Sequence, residues 1–207
     1  MQQTVAIIAN GKIESPDLIR PLILRHSRFI AVDGGLVHCK KMNIRPHVIV
    51  GDFDSCPPEI LEEYSDVSKI SLKNNQDETD LEVAIQEIGP KQVTLYGAWG
   101  NRIDHSLTHI LLLTRYPGMK IETENEILFA VEGKISLDCF EGQTLSLIPV
   151  NGAVSGVSTK GLKWELDEKT LDQNLISISN IALNKRVEIS LKSGSLICCL
   201  NKFKIGS

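Results

Sequence analysis

Asp52 and Asp54 stand two residues apart in the segment Gly51-Asp52-Phe53-Asp54-Ser55, so an extended backbone sends both carboxylates to the same side. Carboxylates that converge without a cation repel and raise each other's pKa, whereas Mg²⁺ takes one or two of them together with waters and phosphate oxygens. A shared cation and a solvated acidic turn both fit this segment taken alone. Gln76-Asp77-Glu78-Thr79-Asp80 brings a second acidic pair to the start of a helical pattern. Acidic residues there also cap free N–H groups and favour the helix dipole. Thr79 and Glu82 already form a T-x-x-E capping signature, which frees Asp77 and Asp80 for another task and makes Asp80 the metal-facing member.

Asp33-Gly34-Gly35 could cradle a phosphate, because glycine lets backbone N–H groups approach anionic oxygens and a following helix adds its dipole; a plain tight turn is the other reading. Arg102 follows Gly97 and Gly100 and precedes Asp104, placing an always-charged fork where it could bind phosphate and steady a carboxylate, or simply pair with Asp104 at the surface. His105, in a first helical turn, reads as a structural hydrogen-bonding residue. The G-x-x-x-x-G-K-[ST] phosphate loop and the protein-kinase signatures are both absent from the sequence. Phosphoryl chemistry here would need another scaffold.

The elements that must position these residues alternate. Thr4 to Ala9, Phe29 to Val32, His47 to Val50, Val67 to Ser71 and Gln92 to Tyr96 read as strands, with helical patterns between them. The clearest helix covers Thr79 to Ile88, with Leu81, Ala84, Ile85 and Ile88 on one face; another is predicted from about Asp104 to Thr114. Alternation of this kind predicts a doubly wound, mostly parallel sheet, and in such sheets ligands bind beyond the carboxyl ends of the strands. The polar segments above all follow strands. After Tyr116-Pro117-Gly118 the pattern turns to strands alone: Glu126 to Glu132, Lys134 to Phe140, Thr144 to Pro149, Arg186 to Lys192 and Ser195 to Leu200. The chain therefore divides into an α/β domain over 1–123 and an all-β sandwich domain over 124–207.

With 207 residues, 42% hydrophobic and 23% charged, the chain has material for one large or two small domains with buried cores. A net charge of −4 with scattered basic residues gives no footprint for nucleic acid. No apolar run reaches the length of a membrane span and the first ten residues lack a signal-peptide pattern, which predicts a cytoplasmic protein. Cys39, Cys56, Cys139, Cys198 and Cys199 show neither C-x-x-C nor zinc-type spacing. They read as small packed hydrophobes.

Taken together, Asp33-Gly34-Gly35, Gly51-Asp52-Phe53-Asp54-Ser55, Gln76-Asp77-Glu78-Thr79-Asp80 and Gly97-Ala98-Trp99-Gly100-Asn101-Arg102-Ile103-Asp104-His105 resemble the thiamine pyrophosphokinase family in order and spacing. The resemblance covers residues 5 to about 115 and continues more loosely through Gly161-Leu162-Lys163-Trp164-Glu165-Leu166 and Ser179-Asn180. It implies a homodimer with thiamine sites at the subunit interface, and an attack of the thiamine hydroxyl on the β-phosphorus of ATP that delivers a diphosphate and releases AMP. On the matching positions Asp52, Asp54 and Asp80 would hold Mg²⁺. Asp33, Gly34, Gly35, Ser55, Gln76, Asp77 and Thr79 would line the substrate and phosphate pocket, with Arg102 and Asp104 completing it. Trp164, Ser179 and Asn180 would recognise thiamine, and Asp80 or Asp104 could accept the hydroxyl proton. Two positions depart from the pattern: His109 stands where an asparagine is usual, and no glycine precedes Ser179-Asn180. Transfer to another hydroxymethyl heterocycle such as a pterin, and a catalytically silent nucleotide- or thiamine-binding module, are the alternative readings.

Overall fold

A computed structural model describes residues 4–71, 79–89 and 92–203. Gln76 and Asp77 lie outside the described residues. The chain divides into two compact units, the first comprising residues up to His109 with Ile121–Glu124, the second Ile110–Lys120 and Asn125 onward.

In the first unit β1 (Thr4–Ile8), β2 (Arg28–Val32), β3 (Val48–Gly51), β4 (Ser68–Ser71) and β5 (Gln92–Tyr96) pair in parallel in the order β4-β3-β2-β1-β5. Ile8 is level with Ala31 on one side and Tyr96 on the other, so the segments after these strands emerge at one edge. Val5, Ala6, Ile7 and Ile8 are all fully buried, the unbroken apolar run of a central parallel strand. The helices are α1 (Pro16–Ile23), α2 (Gly35–Lys41), α3 (Pro58–Glu63), α4 (Asp80–Ile88) and α5 (Ile103–Arg115). Pro16 opens α1 with a φ already suited to a first turn. Ile19 and Ile23, four apart on α1, join Ala6 and Ile8 of β1, Leu36 of α2 and Ile60 of α3 in one cluster. Each fully buried isoleucine contributes about 1.5–3 kcal/mol.

The helix predicted at Thr79 has Thr79 as its N-cap rather than its first residue. Thr79 Oγ1 accepts from Glu82 N–H at 3.3 Å, and Glu82 Oε2 accepts from Thr79 N–H at 3.0 Å. That reciprocal box fixes the entry of α4, and with it the position of Asp80.

Gly35 begins α2 hard against β1: a Cβ there would stand 2.0 Å from Ile8 O, a backbone atom that cannot swing away. Gly35→Ala is expected to destabilise the protein by about 1–3 kcal/mol through overpacking, read as a lowered Tm. An unchanged Tm would mean that α2 is free to move away from β1.

A short strand, β6 (Lys120–Glu122), precedes the antiparallel part of the chain. In the second unit β7 (Glu126–Val131), β8 (Lys134–Asp138), β9 (Thr144–Lys160), β12 (Arg186–Ser190) and β13 (Ser193–Asn201) pair in the order β7-β13-β9-β12-β8. β10 (Lys169–Leu171) and β11 (Ser177–Ile181) also lie on β9. β9 runs far beyond the predicted end at Pro149, for 17 residues. An Asn-Gly pair ordinarily ends a strand; here Asn151, Gly152 and Gly156 take φ of 58°, 116° and 64° and bend β9 onward instead. Leu145, Leu147, Val154 and Val157 of β9 share a core with Val187, Ile189, Leu196 and Cys198. Among the described residues no helix is long and apolar enough to cross a membrane.

Candidate functional site

A cavity of about 570 Å³ opens in the first unit where β1, β2, β3 and β5 end. Its walls come from four loops and two helix starts. Asn10 and Gly11 follow β1, Asp33 follows β2, Asp52, Asp54 and Ser55 follow β3, and Asn101 and Arg102 follow β5. Thr79 and Asp80 enter from α4, and His105, Thr108 and His109 from α5.

The loops hold one another. Gly11 N–H donates to Gly97 O at 2.7 Å, Lys12 N–H to Trp99 O at 2.6 Å, and Asn101 Nδ2 to Asn10 O at 2.9 Å. A Cβ on Gly11 would fall 2.2 Å from Gly97 O, so this approach requires glycine. His38 of α2 donates from Nε2 to Gly11 O at 2.7 Å, and burial lowers its pKa. Asp33, Phe53 and Asn101, one in each of three cavity loops, hold positive φ of 47°, 68° and 57°. Such conformations cost about 1–3 kcal/mol each and gather at ligand sites.

The acidic wall is organised around Asp33, a residue whose sequence context points to phosphate rather than to the carboxylate group it joins. Its carboxyl is buried enough to be pushed up to about 8, first by desolvation, then by a hydrogen bond to Asp80 and the charges of Asp80 and Asp52; the Phe53 N–H acts in the opposite direction. Asp33 Oδ1 is buried without a hydrogen-bond partner among the described residues. Gly51 makes room for it, since a Cβ there would stand 1.8 Å from that oxygen. Asp54 N–H donates to Asp52 Oδ1 at 3.0 Å, so the Asp52 carboxylate shapes its own turn while Asp54 is exposed.

Among the described residues no three His, Cys, Asp or Glu side chains stand close enough to hold a metal ion unaided. Asp52, Asp54 and Asp80 therefore share the cavity without forming a ready-made cluster. The donor set fits Mg²⁺ nevertheless: an unpartnered buried oxygen on Asp33, a second carboxylate in contact with it and open space beside them are what a hard cation with few protein ligands takes.

Gly34 and Gly35, expected in the phosphate pocket, are not part of the cavity wall. Gly34 N–H donates to Ser55 Oγ at 3.0 Å, and a Cβ on Gly34 would meet Asn10 Oδ1 at 2.2 Å. The glycine pair thus permits close packing of α2 on the loop after β1. Arg102 grips Asp104 with two bonds, Nε to Oδ1 at 3.1 Å and Nη2 to Oδ2 at 2.5 Å. That pairing, first by its hydrogen bond, holds the exposed Asp104 carboxyl down at about 2. Arg102 lines the cavity, whereas Asp104 is not part of its wall.

His109 stands out in the sequence only as a departure from the family pattern, but it is a buried cavity residue. Its Nδ1 donates to Ala98 O at 2.8 Å, and burial lowers its pKa, which leaves Nε2 of the neutral ring as an acceptor. Thr108 is a further cavity residue that the sequence motifs do not single out, and Asn101, which stands within the quoted motif without an assigned role, lines the cavity as well. The spacing of His105, Thr108 and His109 by three and four residues on a helix that starts beside Arg102 is the signal that could have found Thr108 and His109.

In the second unit Trp164 is 54% exposed while Asn180 is 2% exposed. Asn180 Oδ1 accepts from Trp164 N–H at 3.1 Å and Ile181 N–H at 2.9 Å, and its Nδ2 donates to Trp164 O at 2.7 Å. Both ends of the amide are spent on positioning the segment that carries the indole. Ser179, with φ of 55°, donates its N–H to Ser146 Oγ at 3.0 Å.

Two family models match the chain: "Thiamin pyrophosphokinase, catalytic domain" over residues 19–125 and "Thiamin pyrophosphokinase, vitamin B1 binding domain" over residues 121–196. Thiamine pyrophosphokinase 1 of Oryza sativa subsp. japonica is 31% identical over 172 residues, covering 74% of this chain and 65% of the relative. A relative from Caenorhabditis elegans, thiamin pyrophosphokinase 1, is 28% identical over 73% of this chain and 68% of its own length. The chain thus spans about two thirds of the length of these relatives. Among solved structures, the thiamin pyrophosphokinase from Geobacillus thermodenitrificans superposes with a TM-score of 0.87 at 23% identity, covering 98% of this chain and 99% of that one. The enzyme from Candida albicans gives 0.84 at 20% identity, over 97% of this chain and 89% of that one. At these identities the likeness is one of fold.

Proposed function

Since the chain belongs to the thiamin pyrophosphokinase family, we propose that it is a thiamine diphosphokinase, transferring a pyrophosphoryl group from ATP to the thiamine hydroxyl and giving thiamine diphosphate and AMP. The observation that carries this reading is the cavity itself, where carboxylates Asp33, Asp52, Asp54 and Asp80 stand together with Arg102 at the ends of parallel strands. An acidic wall alone repels a polyphosphate. An acidic wall fitted for a divalent cation, with a cationic fork on its rim, binds one.

Asp52, Asp54 and Asp80, with Asp33 added by its contact to Asp80, are the residues that would hold Mg²⁺, which supplies neutralisation of the triphosphate charge. To join them Asp33 would have to release the proton that its burial and its carboxylate neighbours favour. Arg102 is steered by Asp104 and compensates charge as AMP departs. Ser55 offers a hydroxyl at the cavity wall, Thr79 spends its own on Glu82 and fixes the start of α4, and the bond between the Asn10 and Asn101 loops holds the acidic segments in register, so most of the rate gain comes from positioning and charge. Asp104, held at about 2 by Arg102, is a poor proton acceptor, which leaves Asp80 as the remaining candidate to accept the proton of the thiamine hydroxyl.

The remaining assignments belong to the same reading. Residues 1–123 form the doubly wound catalytic domain, and residues 124–207 a β-sandwich that binds thiamine and dimerises; the family models, which change over between 121 and 125, support this division. The protein acts as a cytoplasmic homodimer and has no nucleic-acid or membrane partner. Gln76 and Asp77, outside the described residues, are assigned to phosphate binding by the family resemblance of their segment alone, and Trp164 covers thiamine, with Ser179 and Asn180 shaping that surface.

Trp164→Ala is expected to raise the KM for thiamine while leaving that for ATP nearly unchanged, since stacking and cation–π attraction on an indole are worth about 0.5–2 kcal/mol. Equal losses for both substrates with a lowered Tm would mark Trp164 as a structural residue only. Acceptor choice is tested by incubating the protein with ATP, Mg²⁺ and either thiamine or a hydroxymethyl pterin, followed by product chromatography. Diphosphorylated thiamine is the expected product; a diphosphorylated pterin alone, or binding without turnover, would overturn the assignment.

A further inference from the structure

Lys163 and Trp164 are neighbours in a segment whose backbone is fixed. Lys163 N–H donates to Ile181 O at 2.8 Å, Leu162 bridges Ala182, and the Asn180 amide holds both the N–H and the C=O of Trp164. On this support the Lys163 ammonium rests 4.7 Å from the centre of the Trp164 ring. Both side chains are exposed, so burial does not drive the contact; the attraction is that of a cation for the negative face of the indole. One π system serves both faces. A ligand cation on the same face must displace the ammonium, and one on the opposite face is repelled across the ring.

We propose that Lys163 is an internal competitor for the Trp164 indole: a specificity-determining residue that weakens the stacking of cationic aromatic ligands there and leaves neutral ligands of the same shape unaffected. The consequence for this protein rests on the reading of Trp164 as the surface that covers thiamine, whose thiazolium ring carries the charge. Acceptor affinity is then set by a balance between the indole, which attracts the thiazolium, and the lysine beside it, which opposes it. Removing the ammonium tightens thiamine binding.

The chain has two tryptophans, so a Trp99→Phe background leaves Trp164 as the single indole reporter. Its fluorescence is titrated with an N-methylthiazolium salt, with neutral thiazole and with thiamine, in chains carrying Lys163, Lys163→Gln or Lys163→Arg. Lys163→Gln is expected to lower the half-quenching concentration of thiazolium and of thiamine two- to fivefold, about 0.4–1 kcal/mol at 1.4 kcal/mol per tenfold. Lys163→Arg, which keeps a cation over the ring, should match the parent chain, and neutral thiazole should bind all three alike. Equal thiazolium midpoints with Lys163 and Gln, or shifts of the same size for thiazolium and neutral thiazole, would overturn the proposal. Thiazolium that shifts as expected while thiamine leaves Trp164 unquenched would uphold the competition and remove Trp164 from the thiamine site.

Discussion

Asp80→Asn is expected to lower kcat by about a hundredfold while the metal-free protein melts no lower, and above about pH 8 melts higher, than the parent. The two halves of this result have one cause. Asp80 is the carboxylate in contact with Asp33: below about pH 8 the protonated Asp33 donates to it and can donate equally to the amide oxygen of an asparagine, and above that pH, where both carboxylates are ionised, the neutral amide relieves their repulsion. Helix α4 keeps its start, because the capping box is made by Thr79 and Glu82 and not by Asp80. Catalysis moves the other way: the lost charge is one that draws a hard cation to the polyphosphate, and an electrostatic contribution of this kind is worth about 3 kcal/mol in the barrier. Added Mg²⁺ should restore only part of the rate. Near-normal turnover at ordinary Mg²⁺ would place the cation elsewhere.

The second large effect is on pH. Asp33 in the metal-free protein holds its proton up to about 8, against an ordinary carboxyl value of 3.8. Between those values the folded chain binds a proton that the unfolded chain has released, so this carboxyl's contribution to stability is greatest at low pH and falls as pH rises through about 8. The loss attributable to it is about 1–3 kcal/mol once solvent screening of a partly open group is allowed for. Mg²⁺ should reverse the trend, since its entry expels the proton; its affinity should rise with pH and binding at pH 7 should release a proton into a weakly buffered solution. Asp33→Asn is expected to flatten the melting profile between pH 5 and 8 and to abolish that release. A parent profile as flat as that of the variant would show that Asp33 is ionised throughout.

Much of the site is legible in the sequence. Parallel strands end at one edge, and the polar segments that follow Ile8, Val32, Gly51 and Tyr96 necessarily meet there. The Thr79 and Glu82 spacing marks the start of α4 because a capping box is a local interaction. Asp33 is harder to place: its contact with Asp80 joins residues far apart in sequence, and its burial depends on the space left by Gly51. His109 is visible as an unusual residue, but its tautomer is set by Ala98 O, a backbone atom that no side-chain pattern reveals. In the second unit the length of β9 is hidden by Asn151-Gly152, where pairing with β13 and β12 carries the strand through a bend that local chemistry alone would end. Asn180 shows the same limit from another side, since only the fold reveals that its amide is spent on the Trp164 backbone.

Transfer of the pyrophosphoryl unit is the central claim, and isotopic label tests it most directly. The protein is incubated with thiamine, Mg²⁺ and ATP labelled in one sample at the γ-phosphate and in another at the α-phosphate, and the products are separated. The expected result is γ label entirely in thiamine diphosphate and α label entirely in AMP, formed in equal amounts and lost together in Asp80→Asn. Formation of ADP with a single labelled phosphate on thiamine, or no labelled thiamine at all, would contradict it.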